Sequence, residues 1–171
     1  KYEKGRYYFW GVYAWSKVRR DDGIQVYAPN FDRRHNLNLV GNAKLGQKEQ
    51  WYISVRWNLG TGFPFTPTQG YYPGIDFLDP LGNPDINFDY TTANGDPMVL
   101  YGDLNSNRLP TYHRLDASLK YSGEWKYGPM EASIGATNMY NRENIFYYDR
   151  VAAERVNQLP IMPTISCSFS F

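Results

Sequence analysis

Apolar and polar residues alternate along six stretches of the chain, which is the period of a β-strand with one apolar and one polar face. In WYISVRWNL, for example, Trp51, Ile53 and Val55 fall on one face, whereas Ser54 and Arg56 fall on the other. Helical periodicity is almost absent, so the pattern predicts an all-β, antiparallel protein. The predicted strands are residues 6–18, 35–45, 51–59, 110–122, 130–140 and 161–171.

The first predicted strand carries aromatic residues on both faces, so the pattern alone leaves either side open as the outward one. We expect Phe9, Gly11, Tyr13 and Trp15 to face outward. In the other strands the polar face holds few charges, whereas the opposite face is almost purely aliphatic or aromatic.

Aromatic residues make up 18% of the 171 residues, with 16 Tyr and 5 Trp, and they cluster towards strand ends. Amphipathic rings at both ends of an apolar band are typical of the two interfaces of a membrane barrel. The mean hydropathy is −0.61, and no apolar run approaches the roughly 18 residues of a transmembrane helix. A soluble sandwich also alternates, but its polar face is usually richer in Lys and Glu.

The connections alternate between long and short, and residues 60–108 form a very long outer loop. Short turns on one side and long loops on the other are typical of outer-membrane barrels. In that orientation the C-terminus lies on the periplasmic side. Six strands are too few to close a membrane barrel, because the smallest such barrels use about eight strands and lipid offers no hydrogen-bond partner to an open edge. We expect either a hidden hairpin or the remainder of a larger barrel.

The net charge of +1 and the lack of a basic run argue against nucleic acid as a partner. No signal peptide is visible in the opening KYEKG, so we expect any export signal to be removed or to lie outside this sequence. The single cysteine, Cys167, has no internal disulfide partner and is expected to be a small buried hydrophobe.

Several segments resemble the C-terminal end of TonB-dependent outer-membrane transporters. These are GVYAWSKVRRDDG, FDRRHNLNLV, NLGTGFPFTP, LPTYHRLDASLKY, ASIGATNMYNRENIFYY and NQLPIMPTISCSFSF, and their order and spacing carry the resemblance. The resemblance covers nearly all of this chain but only about the last quarter of such a receptor. Lys1 would then lie in a periplasmic turn.

The resemblance implies the last six strands of a 22-stranded barrel that encloses a plug domain, and active uptake of a large scarce solute such as a siderophore, cobalamin or a glycan. The implied partners are the remaining barrel and plug, in the same protein or a companion chain, a TonB-type energy complex, the barrel-assembly machinery, outer-membrane lipids and a surface lipoprotein. The implied location is the outer membrane of a Gram-negative bacterium. No enzymatic activity and no cofactor are expected.

The chain ends on alternating apolar residues, which resemble the signal that the barrel-assembly machinery reads. Strand addition at an exposed edge explains such a signal, because the backbone supplies hydrogen bonds and alternate side chains set the register. The residues are Ile165, Cys167, Phe169 and Phe171.

Charged residues on the polar faces are expected to face the barrel lumen and to pair across strands, because they are costly on a lipid face. They are Arg56, Arg114, Asp116, Lys120 and Glu131. Ligand contact is more plausible in the aromatic loop GYYPGIDF, through Tyr71, Tyr72 and Phe77.

No catalytic residue and no metal site are predicted. The spacing of Asp85, Asn87 and Asp89, followed by Asp96, is weakly similar to a calcium loop, but Tyr90 replaces the Gly of that motif and a solvated surface loop explains the pattern better. His35 and His113 each lie beside arginine, and we expect them at the headgroup level with Arg33, Arg34 and Arg114.

Two other functions stay open. The first is a complete eight-stranded barrel with a structural or adhesive role, in which residues 60–108 hide two strands. The second is an outer-membrane hydrolase barrel, which requires a Ser, His and Asp constellation that the sequence does not assemble.

Overall fold

The chain is all-β and antiparallel in a computed structural model that describes residues 1–74, 97–126, 128–150, 152 and 154–169. None of the described residues forms a helix that is long and apolar enough to cross a membrane. The described strands are, in chain order, β1 (Tyr2–Lys4), β2 (Tyr7–Trp15), β3 (Arg20–Asp21), β4 (Val26–Tyr27), β5 (His35–Leu45), β6 (Trp51–Gly60), β7 (Pro64–Phe65), β8 (Thr68–Pro73), β9 (Pro97–Tyr101), β10 (Asn107–Arg108), β11 (Tyr112–Trp125), β12 (Gly128–Thr137), β13 (Ile145–Asp149), β14 (Glu154–Asn157) and β15 (Met162–Phe169).

Seven strands form one antiparallel sheet in the order β1-β2-β5-β6-β11-β12-β15, and β1 and β15 are its edges. Six of them, β2, β5, β6, β11, β12 and β15, occupy the stretches that the alternation predicts. Strand β12 ends at Thr137 instead of residue 140, because Asn138 leaves the extended conformation with φ of 55°. The predicted end of the last strand, residues 170–171, lies outside the described residues.

The seventh strand, β1, was not predicted. Tyr2–Lys4 pair with Tyr7–Phe9 around a tight turn in which Gly5 has φ of 56°. The prediction that Lys1 lies in a turn is therefore wrong, since the turn is at Gly5 and Arg6. Three residues are too few for alternation to reveal a strand.

The connection that the predicted strands leave between residues 122 and 130 is shorter than expected. Strand β11 continues to Trp125, which pairs with Gly128 of β12. The Gly and Pro residues that read as a turn are tolerated here because they lie at the end of the ladder.

The predicted long loop at 60–108 contains two nested ladders in its described parts, in which β7 pairs with β10 and β8 with β9. Prolines 64, 73 and 97 lie within these two-stranded ladders, where open edges tolerate them and where they mask any alternation. The two ladders do not join the seven-stranded sheet. The eight-stranded alternative requires two wall strands from residues 60–108, and the described parts of this segment supply none.

The long connections meet at one end of the sheet, which we call the loop end, and the short turns at the other, which we call the turn end. Strands β2 and β5 are joined by residues 16–34, β6 and β11 by residues 61–111, and β12 and β15 by residues 138–161. The first and third connections also contain hairpins, β3–β4 and β13–β14.

Directly paired residues share a face, and the registers therefore define one continuous apolar face. Phe9 and Gly11 pair with Gly41 and Leu39, so the expected outward side of the first strand coincides with the apolar face of β5. Two rows that cross the sheet are Phe9–Gly41–Val55–Ala117–Ala136–Pro163 and Tyr7–Ala43–Ile53–Leu119–Ile134–Ile165.

The described chain has no hydrophobic core. None of its Ala, Val, Ile, Leu, Met, Phe, Trp, Tyr or Cys residues is buried, and Ile165 is 80% exposed. The buried polar and charged residues of this part are Asp32, Asn138 and Asn144, all near the loop end. Hydrogen-bonded ladders therefore organise the described chain, and its apolar face has no cover within it.

Candidate functional site

The apolar face of the sheet is a candidate interaction surface that extends across the described strands. The main strands have 8 to 14 residues, which fits the roughly 9 to 11 residues that a tilted strand needs to cross a bilayer. An exposed apolar surface of this extent marks an interface with protein or lipid.

Aromatic rings border this face at the turn end. The rings of Trp51 and Tyr121 are 4.7 Å apart, and those of Trp125 and Phe169 are 5.6 Å apart. We call these four residues the turn-end belt.

A second group of aromatic residues and histidines borders the face at the loop end. The hydroxyl of Tyr140 is 2.6 Å from Nδ1 of His113, and the ring of Trp57 is 6.4 Å from that of His113. The hydroxyl of Tyr13 lies 2.7 Å from Nδ1 of His35. We call these five residues the loop-end belt.

The two belts are separated by the apolar part of the strands. His113 and Tyr121 lie eight positions apart on β11, which corresponds to roughly 26 Å along the strand. That length is comparable with the roughly 25 Å apolar band of outer-membrane barrels. The surface therefore has the length and the borders that suit a bilayer.

The opposite face of the sheet is polar and carries the five charged residues predicted for the lumen. Nη2 of Arg114 lies 2.9 Å from Oδ2 of Asp116, and Nζ of Lys120 lies 2.8 Å from Oε2 of Glu131. Arg56 is directly opposite Asp116 in the register. Lys120–Glu131 is a cross-strand pair of the predicted kind, whereas Arg114–Asp116 is a pair along β11. Arg56 lines a shallow polar depression of about 240 Å³ beside Asp116.

A buried carboxylate joins the first two long connections at the loop end. The side chain of Asp32 is 0% exposed, and its Oδ1 accepts a hydrogen bond of 2.9 Å from the backbone N–H of Val18. Arg108 donates to Oδ2 of Asp32 and, at 2.8 Å, to its backbone carbonyl. Nε of Arg34 lies 3.5 Å from the same carboxylate.

The electrostatics of this cluster favour an ionised Asp32. Burial alone raises the pKa of the carboxyl group, but the hydrogen bonds from Val18 and Arg108 and the charges of Arg108 and Arg34 outweigh it. The pKa of Asp32 is therefore held below its usual value. Arg108 also donates to the carbonyl of Gly62 at 3.2 Å, so one ion cluster spans both connections.

The arginines expected at lipid headgroups have other partners. Nε of Arg33 donates to the carbonyl of Thr61 at 3.1 Å, and its guanidinium lies 4.4 Å from the centre of the Phe63 ring. Arg34 belongs to the Asp32 cluster, and Arg114 lies on the polar face. On β11, alternation places Arg114 on the face opposite His113. The expected position of this group at the headgroup level stays a prediction.

Two buried asparagines shape the third connection. The side-chain amide of Asn138 donates to the carbonyls of Arg142 and Leu159, and its oxygen accepts the N–H of Arg142. Asn144 exchanges hydrogen bonds with the backbone of His113 at 3.2 and 2.9 Å. Sequence reasoning missed both residues and Asp32, because a polar residue in a loop reads as solvated unless its distant partners are known.

A cavity of about 460 Å³ lies between the second and third long connections. Its lining is mainly apolar and aromatic, with one guanidinium group. The residues that characterise it are Phe65, Leu109, Phe146, Tyr147, Tyr148 and Arg150.

Two of the predicted ligand-contact residues, Tyr71 and Tyr72, are not among the described residues that line this cavity. Tyr71 and Tyr72 lie on β8 and are about half exposed. The hydroxyl of Tyr71 donates to the backbone carbonyl of Arg150, which connects its hairpin to the cavity wall. Phe77 lies outside the described residues.

The predicted assembly signal lies on the edge strand β15. Ile165, Cys167 and Phe169 pair with Ile134, Ala132 and Met130 and share the apolar face, whereas Phe171 lies outside the described residues. Cys167 is exposed in the described chain, so the expectation that this chain buries it is wrong. It lies on an open face with no second layer of the described chain against it.

The histidines have tyrosine hydroxyls as neighbours, and no group of three or more His, Cys, Asp or Glu side chains that could hold a metal is found in the described part of the chain. Asp85, Asn87, Asp89 and Asp96, the weak calcium candidates, lie outside it.

Comparison with known proteins identifies no relative: no family model, curated protein or solved structure matches this chain significantly.

Proposed function

We propose that this chain is part of the β-barrel wall of an outer-membrane active transporter that imports a large, scarce solute with TonB-type energy coupling. The observation that carries the membrane part is the uncovered apolar face, which is bordered by two aromatic belts while the described chain buries no hydrophobic residue. Lipid is the environment that covers such a face without a second protein layer.

The polar face supports a wet or protein-filled interior. Its charges are paired along and across strands, as in Arg114–Asp116 and Lys120–Glu131. The opposite orientation would place five charged residues in lipid, at a cost of roughly 2–4 kcal/mol for each Arg or Lys near the midplane.

Two open edges support a larger barrel. Strand β1 and strand β15 each have a partner on one side only in the described sheet, and seven strands fall short of the roughly eight of the smallest membrane barrels. A plug-containing transporter barrel supplies the missing strands. The TonB-type coupling and the solute class come from the sequence resemblance alone.

The native mass of the detergent-extracted protein, with identification of everything bound to it, tests this proposal. We expect the described strands to be part of a much larger barrel that contains a plug domain in the same or a companion chain. We also expect this barrel to cross-link to an energy-coupling complex. A heat-modifiable monomer near the 19.9 kDa of this sequence would contradict the proposal and favour a complete small barrel.

A further inference from the structure

The cavity between the second and third long connections has the features of a small-molecule site. Its volume of about 460 Å³ lies within the roughly 300–1,000 Å³ of ligand pockets, and a cavity of about 150 Å³ already accommodates a benzene ring. Phe65, Phe146, Tyr147 and Tyr148 give it aromatic walls. Such walls favour the flat face or edge of another ring.

Arg150, the one charged side chain among the described lining residues, makes contacts that join both connections. Nη2 of Arg150 donates to the carbonyl of Thr66 at 2.9 Å, and its guanidinium lies 4.8 Å from the centre of the Tyr101 ring. These contacts hold the guanidinium at the wall of the cavity, and they join the two connections, since Thr66 and Tyr101 belong to the second and Arg150 to the third.

One nitrogen of this guanidinium has no partner among the described residues. Nη1 of Arg150 is shielded from solvent and makes no hydrogen bond to them. A buried donor without an acceptor is unfavourable, and a charged one more so. An anionic oxygen in the cavity would supply the acceptor after a small turn of the side chain. No carboxylate is present among the described lining residues to compete for it.

We propose that this cavity binds a planar aromatic ring that bears an oxyanion, such as an aryl carboxylate. The ring packs against Phe65, Phe146 and Tyr147, and the oxyanion pairs with Nη1 of Arg150. This inference deepens the proposed function, because it rests on the loop end being the side from which a solute is captured. Binding itself requires only the two connections.

Equilibrium binding to the detergent-purified protein tests the inference with three probes: benzoate, benzyl alcohol and cyclohexanecarboxylate. We expect benzoate to bind about tenfold more tightly than benzyl alcohol, since a charged hydrogen bond contributes to it alone. We expect cyclohexanecarboxylate to bind about threefold more weakly than benzoate, since it has no aromatic face.

Variants separate recognition from folding. Arg150→Gln should weaken benzoate about tenfold and leave benzyl alcohol unchanged, whereas Phe146→Leu should weaken both about threefold. Phe31→Leu, which changes an exposed ring of the first long connection outside the lining, is the control and should change neither. If Arg150→Gln disturbs the hairpins, the affinities for benzoate and benzyl alcohol fall together. The preference of the wild-type protein among the three probes then tests the inference.

Equal affinity of the wild-type protein for all three probes, or no binding of any of them, would overturn this inference. Neither result would contradict the barrel proposal, which the native mass tests separately. Conversely, a native mass that indicates a small complete barrel, together with a preference for benzoate, would contradict the transporter proposal and support the ligand site.

Discussion

At the scale of single residues, the loop end is held by a few polar groups. Asp32 and Arg108 are 76 residues apart in sequence, yet their contact ties the first long connection to the second. Asn138 and Asn144 organise the third through backbone hydrogen bonds. The sequence does not predict these contacts, because each depends on a partner that is brought close only by the completed sheet.

Asp32→Asn should loosen the first connection, because Arg108 and Arg34 lose their counter-charge while the shape of the side chain is kept. We expect the free energy of local opening at the first connection to fall by about 2 kcal/mol. This loss is smaller than for a fully buried ion pair, because Arg108 is partly exposed. Hydrogen exchange at the Val18 amide measures it directly. Asp22→Asn, at the tip of the β3–β4 hairpin, is the control, and an equal effect there would contradict a specific role of Asp32.

The same carboxylate predicts a pH dependence. The folded pKa of Asp32 is lowered, so its stabilising contribution is complete above the unfolded value of about 3.9 and is lost as the pH falls through the lower folded value. Val18 protection, corrected for intrinsic exchange, should stay constant from about pH 7 to 5 and decline below about pH 4. The Asp32→Asn variant should lack this decline, and an identical decline in both proteins would refute the assignment.

Glycine positions give a purely steric prediction at this scale. A Cβ at Gly62 would overlap the backbone carbonyl of Leu109, whereas a Cβ at Gly41 on the apolar face has open space. Gly62→Ala should therefore destabilise the protein by about 3 kcal/mol, and Gly41→Ala should be nearly neutral. Urea unfolding in lipid vesicles compares the two variants, and similar midpoints would argue against the close packing of residues 62 and 109.

At the scale of elements, alternation located six strands and their faces, because period two is a local property of the sequence. It failed for β1, which is too short, and for the ladders of residues 61–111, where prolines interrupt the pattern. The apolar face follows directly from the sequence. The cavity and Arg150 do not, because they arise where two separate hairpins meet.

Adjacent positions on β15 test the assignment of faces. Ile165 lies on the apolar face, and Ser166, which hydrogen-bonds Ser133 at 2.7 Å, lies on the polar face. Ile165→Lys should destabilise the protein in lipid vesicles by about 2–4 kcal/mol, and Ser166→Lys by less than about 1 kcal/mol. The free energy of unfolding from vesicles measures both. Equal losses would mean that the two faces meet similar surroundings.

At the scale of the whole molecule, the sheet requires an environment that covers its apolar face and provides hydrogen-bond partners for its two edge strands. The described chain buries no hydrophobic residue, so hydrophobic burial inside it cannot supply the usual driving force of folding. We propose that a lipid bilayer covers the apolar face and that further strands of a barrel complete the edges. The central claim is therefore that this face contacts lipid.

Spin labelling at residue 167 tests that claim most directly, in a protein whose only cysteine is the labelled one and which is reconstituted in lipid vesicles. Cys167 is exposed on the apolar face, and the matched label at residue 166 comes from Cys167→Ser with Ser166→Cys. We predict that the label at 167 is accessible to oxygen, which concentrates in the bilayer, and protected from a water-soluble nickel chelate, with a much weaker preference at 166. Equal accessibility to the chelate at both positions would contradict the lipid-facing assignment.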